Sequence, residues 1–204
     1  MMHIDKNTYQ ISTNNHYNIE SVKTQIVVAT SLRKTNNHII RLKHKDFGNT
    51  KRWNTYTISR EGIIYQHYDN KYHSDFLGVK EGDKRSTSIV LENMGCLFQT
   101  SKKVFVNWLN EVCNENDVIK KEWLGYEFWE TFPDIQIRNM ILLCSELCEK
   151  FNIPKNFIDF QHYHKDIYKF KGIVFRGNYI EDSSDMSPLL NLTQLNNMIK
   201  NEKF

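Results

Sequence analysis

The residues in this 204-residue chain that could carry chemistry fall into a few groups. The densest is His162-Tyr163-His164-Lys165-Asp166, where two imidazoles flank a phenol and stand beside an ammonium and a carboxylate. His73 sits in a loop with Gly78, Gly82 and Arg85, and His38 lies in a stretch of helical character. The four cysteines are Cys96, Cys113, Cys144 and Cys148, and none forms a C-x-x-C pair, which excludes a zinc knuckle or a thioredoxin-type dithiol. Cys144 and Cys148 fall one helical turn apart within an apolar pattern and read as core thiols.

The elements that must position these groups can be read from periodicity. Thr24–Thr30 (TQIVVAT) is a continuous apolar run of the kind found in a buried parallel strand. Leu32–Lys45 predicts a helix, with Thr35 or Asn36 as its N-cap. Thr55–Ser59 and Ile63–Tyr68 predict a hairpin joined by Arg60-Glu61-Gly62, and Thr87–Glu92 predicts a central strand. Lys102–Cys113 places Val104, Phe105, Trp108, Leu109 and Val112 on a helical stripe. Asn114–Phe132 is dense in aromatics and reads as a strand-and-loop excursion. Asp134–Phe151, between Pro133 and Pro154, is the strongest helix. Short strands are expected at Tyr9–Ser12, Phe157–Gln161 and Gly172–Phe175, and a last helix capped by Thr193. The implied architecture is a single α/β domain, a central mixed β-sheet flanked by helices. It comprises a surface segment at 1–23, the domain proper at 24–190 and a C-terminal helix at 191–204.

Composition narrows the class. Hydrophobic residues form 40% of the chain and charged residues 25%, enough for a sizeable core. The net charge of +3, with no lysine or arginine stripe, does not suggest a nucleic-acid partner. No apolar run approaches the ~20 residues of a membrane span. The N-terminal Met-Met-His-Ile-Asp-Lys carries no apolar signal region, so export would need another route.

Taken in order, the pieces carry a resemblance. The apolar strand, helix, hairpin and His/Gly loop lead to Arg85-Ser-Thr-Ser-Ile-Val-Leu-Glu-Asn93. Then come a long helix entered by Asp134-Ile135-Gln136, an Ile-Pro stop, His164-Lys165-Asp166-Ile167 and Asp185-Met186-Ser187-Pro188. This resembles the type 2 N-acetylmuramoyl-L-alanine amidases, whose fold is shared with peptidoglycan recognition proteins, and especially divergent bacteriophage homologues. The resemblance covers roughly residues 24 to 190. It implies a zinc hydrolase in which three protein ligands hold the metal and a water fills the fourth position. The metal-activated water cleaves the amide between muramic acid and L-alanine. Peptidoglycan or a muropeptide is the implied partner, and the place of action is the cell wall or a phage virion.

Carried over residue by residue, the pattern is incomplete. Ala29 stands where the first-strand histidine ligand belongs. His164 matches the second ligand, with His162 a competing register, and Asp185 matches the third. His38 is a possible substitute ligand from the helix. Asn54 falls where the family has a Tyr or Glu, and Ser183 where it has a Lys, so both proton-handling groups are replaced and the catalytic residues are unknown. His73, Glu92, Asn93, Trp123 and Trp129 are candidate substrate contacts, and the aromatics are suited to stacking on sugar faces. Two readings follow: an amidase with a degenerate zinc site, or an inactive relative that binds cell-wall glycopeptide or serves as an interaction module of a phage particle.

Overall fold

A strand with all six residues buried lies inside the main sheet and sets the position of everything around it. The computed structural model describes residues 3–34, 36–44, 48–159, 161–181 and 187–202. In chain order the elements are β1 (Ile4–Asp5), β2 (Gln25–Thr30), α1 (Asn37–His44), β3 (Tyr56–Ile58), β4 (Ile64–Gln66), α2 (Lys80–Arg85) and β5 (Ser86–Leu91). They continue with β6 (Cys96–Ser101), β7 (Val104–Val106), β8 (Val112–Cys113), β9 (Val118–Trp123), β10 (Tyr126–Glu130), α3 (Asp134–Phe151), β11 (Gly172–Phe175) and α4 (Leu192–Asn201). The six-stranded sheet runs β1-β4-β3-β5-β2-β11. β3, β5, β2 and β11 are mutually parallel, and β4 is antiparallel to β3. This is the mixed α/β sheet the sequence implies.

β2 is apolar from Ile26 to Ala29 and buried along its whole length because both its edges and both its faces are covered. Its residues pair with β5 from Gln25↔Ser86 to Thr30↔Leu91, and with β11 from Gly172↔Gln25 to Phe175↔Val28. One core gathers Ile26, Val28, Ile58, Ile89 and Val174 with Met140, Ile141, Cys144 and Leu147 of α3. Each such side chain stabilises the fold by ~1.5–3 kcal/mol when fully buried. Cys144 and Cys148 are core thiols, pushed well above the usual thiol range by burial, Cys148 to about 12. A smaller cluster of Ile39, Leu42, Trp53 and Tyr68 seats α1.

α3 spans the expected residues and ends on Asn152 in the left-handed conformation. Gln136 in its first turn is fully buried and donates to the carbonyls of Ile58 and Glu92, both at 3.0 Å, which ties the helix to the ends of two strands.

Other expectations shift. α1 begins at Asn37, because Leu32 (φ 54) and Asn36 (φ 68) are left-handed and cannot lie in a helix. Thr35 and Lys45 lie outside the described residues. The Lys102–Cys113 stripe is not helical but part of a second, five-stranded antiparallel sheet, β8-β7-β6-β10-β9. Lys103 (φ 69) and Asn110 (φ 60) reverse the chain there, and the Asn107 side-chain oxygen accepts from the backbone N–H groups of Leu109 and Glu111, both at 3.0 Å. The edge strand near the N-terminus is Ile4–Asp5, with no strand at residues 9–12, and His16 and Lys23 of the same segment are buried. Phe157 makes only an isolated bridge to Ile173, and Asn191, not Thr193, caps α4.

The hairpin turn depends on Gly62, at φ +83, where an added Cβ would lie 2.7 Å from Ile135 Cγ1 and 2.9 Å from Asn139 Nδ2. Gly125, at φ +78, has open space around it. Gly62→Ala is expected to cost about 1–3 kcal/mol more than Gly125→Ala in urea denaturation, because it adds a collision to the left-handed penalty. Equal losses would contradict this packing of the turn against α3.

Candidate functional site

Parallel strands of an α/β sheet present their ligand-facing loops at their carboxyl ends. Here those ends are Thr30 of β2, Leu91 of β5 and Phe175 of β11. A cavity of about 230 Å³ opens at this point. Ala29 and Val90, paired across β2 and β5, contribute two small apolar side chains to its wall. α1 contributes His38 and Arg41, and the segment after β2 contributes Arg33. Arg52 enters from the approach to the hairpin, and Arg176 from the residue that follows β11. Since Phe175 pairs with Val28, Arg176 emerges beside Ala29.

Four guanidinium groups therefore line one small cavity, and no Asp or Glu is among the described residues that line it. Arg33, Arg41 and Arg176 are each held below the ordinary arginine range, first by burial and then by neighbouring charge. That charge is Arg41 on Arg33, Arg52 on Arg41, and both Arg52 and Arg41 on Arg176. Glu111 and Asp83 oppose the shift on Arg33 and Arg176 from outside the lining. Aromatic rings order two of the groups: Arg33 lies 4.8 Å over Trp108 and Arg176 5.7 Å over Phe76.

His38 is buried, and its Nε2 lies 2.8 Å from Asn54 Oδ1. Asn54 Nδ2 donates to the Tyr56 carbonyl at 2.6 Å and to Thr57 Oγ1 at 2.8 Å, so its oxygen is the acceptor and His38 Nε2 the donor. Burial pushes His38 down to about 4, so the ring is neutral at ordinary pH.

The other candidates among the described residues lie elsewhere. His164 is exposed in the loop before β11; its backbone N–H donates to the Asn178 carbonyl at 3.1 Å, and its Nδ1 accepts from the Asp166 N–H at 3.2 Å. His162 lines a separate groove with Trp123, Leu124 and Glu181. Asp185 and Ser183 fall outside the described residues. His73 is buried and stacks on Tyr17 at 5.0 Å. Asn93 has no exposed surface and bridges the ends of β5 and β10, donating to the carbonyls of Glu130 (3.2 Å) and Thr131 (3.1 Å). Trp129 is likewise sealed, its indole N–H on the Lys121 carbonyl at 2.8 Å, while Trp123 is partly exposed against it. Glu92 is fully buried and accepts from the Asn36 N–H at 2.7 Å. Of the candidates among the described residues, only His38 lines the cavity beside Ala29. The four arginines were not legible as a site, because each comes from a different segment and none belongs to a local charge run.

Among the described residues the donor set of this cavity does not suit zinc. Alanine offers no ligand atom, guanidinium groups donate only, and four nearby cations oppose a dication. Among the described residues no group of three or more His, Cys, Asp or Glu is placed to hold a metal. A larger groove of about 780 Å³ between α3, α4 and β9 has neither His nor Cys in its lining.

Comparison with known proteins places this geometry. Residues 15–172 match the profile of the N-acetylmuramoyl-L-alanine amidase family. The chain belongs to the type 2 N-acetylmuramoyl-L-alanine amidase family. No curated protein sequence matches it. Among solved structures it is similar to a mutant endolysin from Bacillus subtilis, at 14% identity over 98% of this chain and 99% of that one, with a TM-score of 0.57. It is similar to the N-acetylmuramoyl-L-alanine amidase LysC from Clostridium intestinale URNW, at 13% identity over 98% and 99% of the two chains, with a TM-score of 0.58. A third likeness is to the amidase AmiD from E. coli in complex with anhydro-N-acetylmuramic acid-L-Ala-D-gamma-Glu-L-Lys, at 15% identity over 96% of this chain and 65% of that one, with a TM-score of 0.56. At these identities the structural likeness defines the shared fold.

Burial pushes Glu92 up from its ordinary 4.5 to about 7, with the charges of Glu61 and Glu130 adding and the Asn36 hydrogen bond opposing. The folded chain therefore keeps a proton that the unfolded chain has released, and stability falls as pH rises from about 4.5 through 7. Glu92→Gln, a near copy of the protonated acid, is expected to be the more stable protein at pH 8 by roughly 2–3 kcal/mol and equal to wild type at pH 4. Denaturant midpoints at the two pH values check this; a variant less stable at pH 8 would contradict it.

Proposed function

We propose that this amidase-family protein recognises peptidoglycan fragments without cleaving them through a metal-bound water. The observation that carries the reading is Ala29 at the end of β2, set among guanidinium groups where a metal would need an imidazole. A site short of one ligand binds zinc weakly, and surrounding positive charge weakens it further. Asn54 adds to this: fully buried and bonded to His38, it is in no position to move a substrate proton.

Family membership supports peptidoglycan or a muropeptide as the partner, and the likeness to endolysins supports a place of action at the cell wall or in a phage particle. The strand-end cavity and the exposed Trp108 at its rim provide a polar pocket beside an aromatic surface, a combination that suits a glycopeptide. No helix among the described residues is long and apolar enough to cross a membrane. The competing reading, hydrolysis at a zinc site built on His164 and Asp185, has the weaker support, since His164 lies outside the cavity lining and commits its Nδ1 to Asp166.

Purified protein incubated with isolated sacculi is expected to sediment with them, release no L-alanyl stem peptides and contain far less than one zinc per chain. EDTA-sensitive peptide release, with stoichiometric zinc, would overturn the proposal.

A further inference from the structure

The tip of the second sheet borders a groove with a chemistry of its own. β9 and β10 are joined by Leu124-Gly125, a two-residue turn in which both residues are left-handed, at φ 49 and 78, and Trp123 pairs with Tyr126 at its base. Asparagine or glycine fills the first of these positions at little steric cost. A leucine there is strained, and this one is also 58% exposed. Backbone strain and an apolar side chain left in solvent coincide at Leu124, which marks the tip as a contact surface. The rings behind it are held in place. Trp123 lies 5.7 Å and Tyr126 5.9 Å from Trp129, which is sealed, with its indole N–H on the Lys121 carbonyl at 2.8 Å. Trp123 itself keeps part of its surface exposed.

The tip shares a groove of about 490 Å³ with the loop before β11 and the residues that follow that strand, within the roughly 300–1,000 Å³ of small-ligand sites. Trp123, Leu124 and Ile180 give the groove apolar surface, and Tyr163 adds an exposed phenol. Gln161, anchored by its Nε2 on the Leu190 carbonyl at 3.2 Å, supplies an amide, and the exposed Glu181 a carboxylate. No Lys or Arg is among the described residues that line it, so an anionic ligand finds no strong counter-charge there. We infer that this groove binds an uncharged, N-acetylated saccharide. A pyranose offers an apolar C–H face to an indole and hydroxyl groups to an amide or a carboxylate. Its acetamido group adds a methyl suited to Leu124 and Ile180 and an N–H suited to Glu181. A plain glucan would leave those two apolar side chains without a partner.

This inference goes beyond the peptidoglycan reading and does not rest on it: the groove is separate from the strand-end cavity, and the probe below carries neither muramic acid nor peptide. Titration of the full chain with tri-N-acetylchitotriose, followed by calorimetry and by tryptophan fluorescence, should give saturable one-to-one binding. Cellotriose, with a hydroxyl in place of each acetamido group, should bind at least about tenfold more weakly. Trp123→Ala should weaken chitotriose binding by about tenfold or more, and Lys80→Gln on the exposed start of α2 should leave it unchanged. Leu124→Asn separates contact from folding. Asparagine tolerates the left-handed turn, so this variant should melt at or above the wild-type temperature and yet bind chitotriose about threefold or more weakly. Chitotriose binding by a protein that fails to sediment with sacculi would support the groove and sink the peptidoglycan reading. Sedimentation with no saturable chitotriose binding would sink the groove alone. The inference is also overturned if cellotriose binds as tightly as chitotriose, or if Trp123→Ala and Leu124→Asn both keep the wild-type affinity.

Discussion

The parallel pairing of β2 between β5 and β11 is the constraint on which the rest of the molecule depends. With Thr30 opposite Leu91 and Phe175 opposite Val28, three chain exits must open at one end of the sheet. A one-residue slip on either side would turn every side chain of this wholly buried strand to the opposite face, against the wrong packing partners. Register is therefore fixed by burial, and with it the identity of the residues that meet at the exit: Ala29, Val90, Arg33 and Arg176. Gln25 secures the far end of the same strand. Its amide donates to the carbonyls of Ile167 and Phe170, both at 2.8 Å, and its oxygen accepts from the Tyr179 hydroxyl.

What the sheet delivers to that exit is electrostatically unlike a metal centre. A zinc site gathers anionic or neutral donors around a cation. The described lining of this cavity brings four arginines together, with a neutral His38 fixed by Asn54 at its edge. The scaffold of the amidase family is retained, while the described residues at its strand ends are basic or neutral. A scaffold can persist in this way because its stability resides in the apolar layer between sheet and α3, which does not involve Ala29 or the arginines of the cavity.

Much of the scaffold was legible in the sequence because local signals and tertiary demands agree there. α3 is bounded by prolines and carries an apolar stripe, β2 holds the continuous apolar run Ile26–Ala29, and Gly62 marks the hairpin turn. The second sheet was hidden because Val104, Phe105, Trp108, Leu109 and Val112 happen to recur at helical spacing. Only the left-handed Lys103 and Asn110 and the side chain of Asn107 break the run into strands. At the site, the loss at Ala29 could be read once the family resemblance was recognised. The arginines could not, since side chains distant in sequence meet only through topology. His164 shows the converse: its neighbours in sequence fit a motif, yet the structure uses its ring to hold the turn before β11.

The central claim is the proposal that the end of β2, where Ala29 stands, does not hold a catalytic zinc. Anomalous X-ray scattering from crystals soaked in a zinc salt tests it most directly. The account predicts no zinc peak beside Ala29. A zinc peak in that cavity would contradict the account.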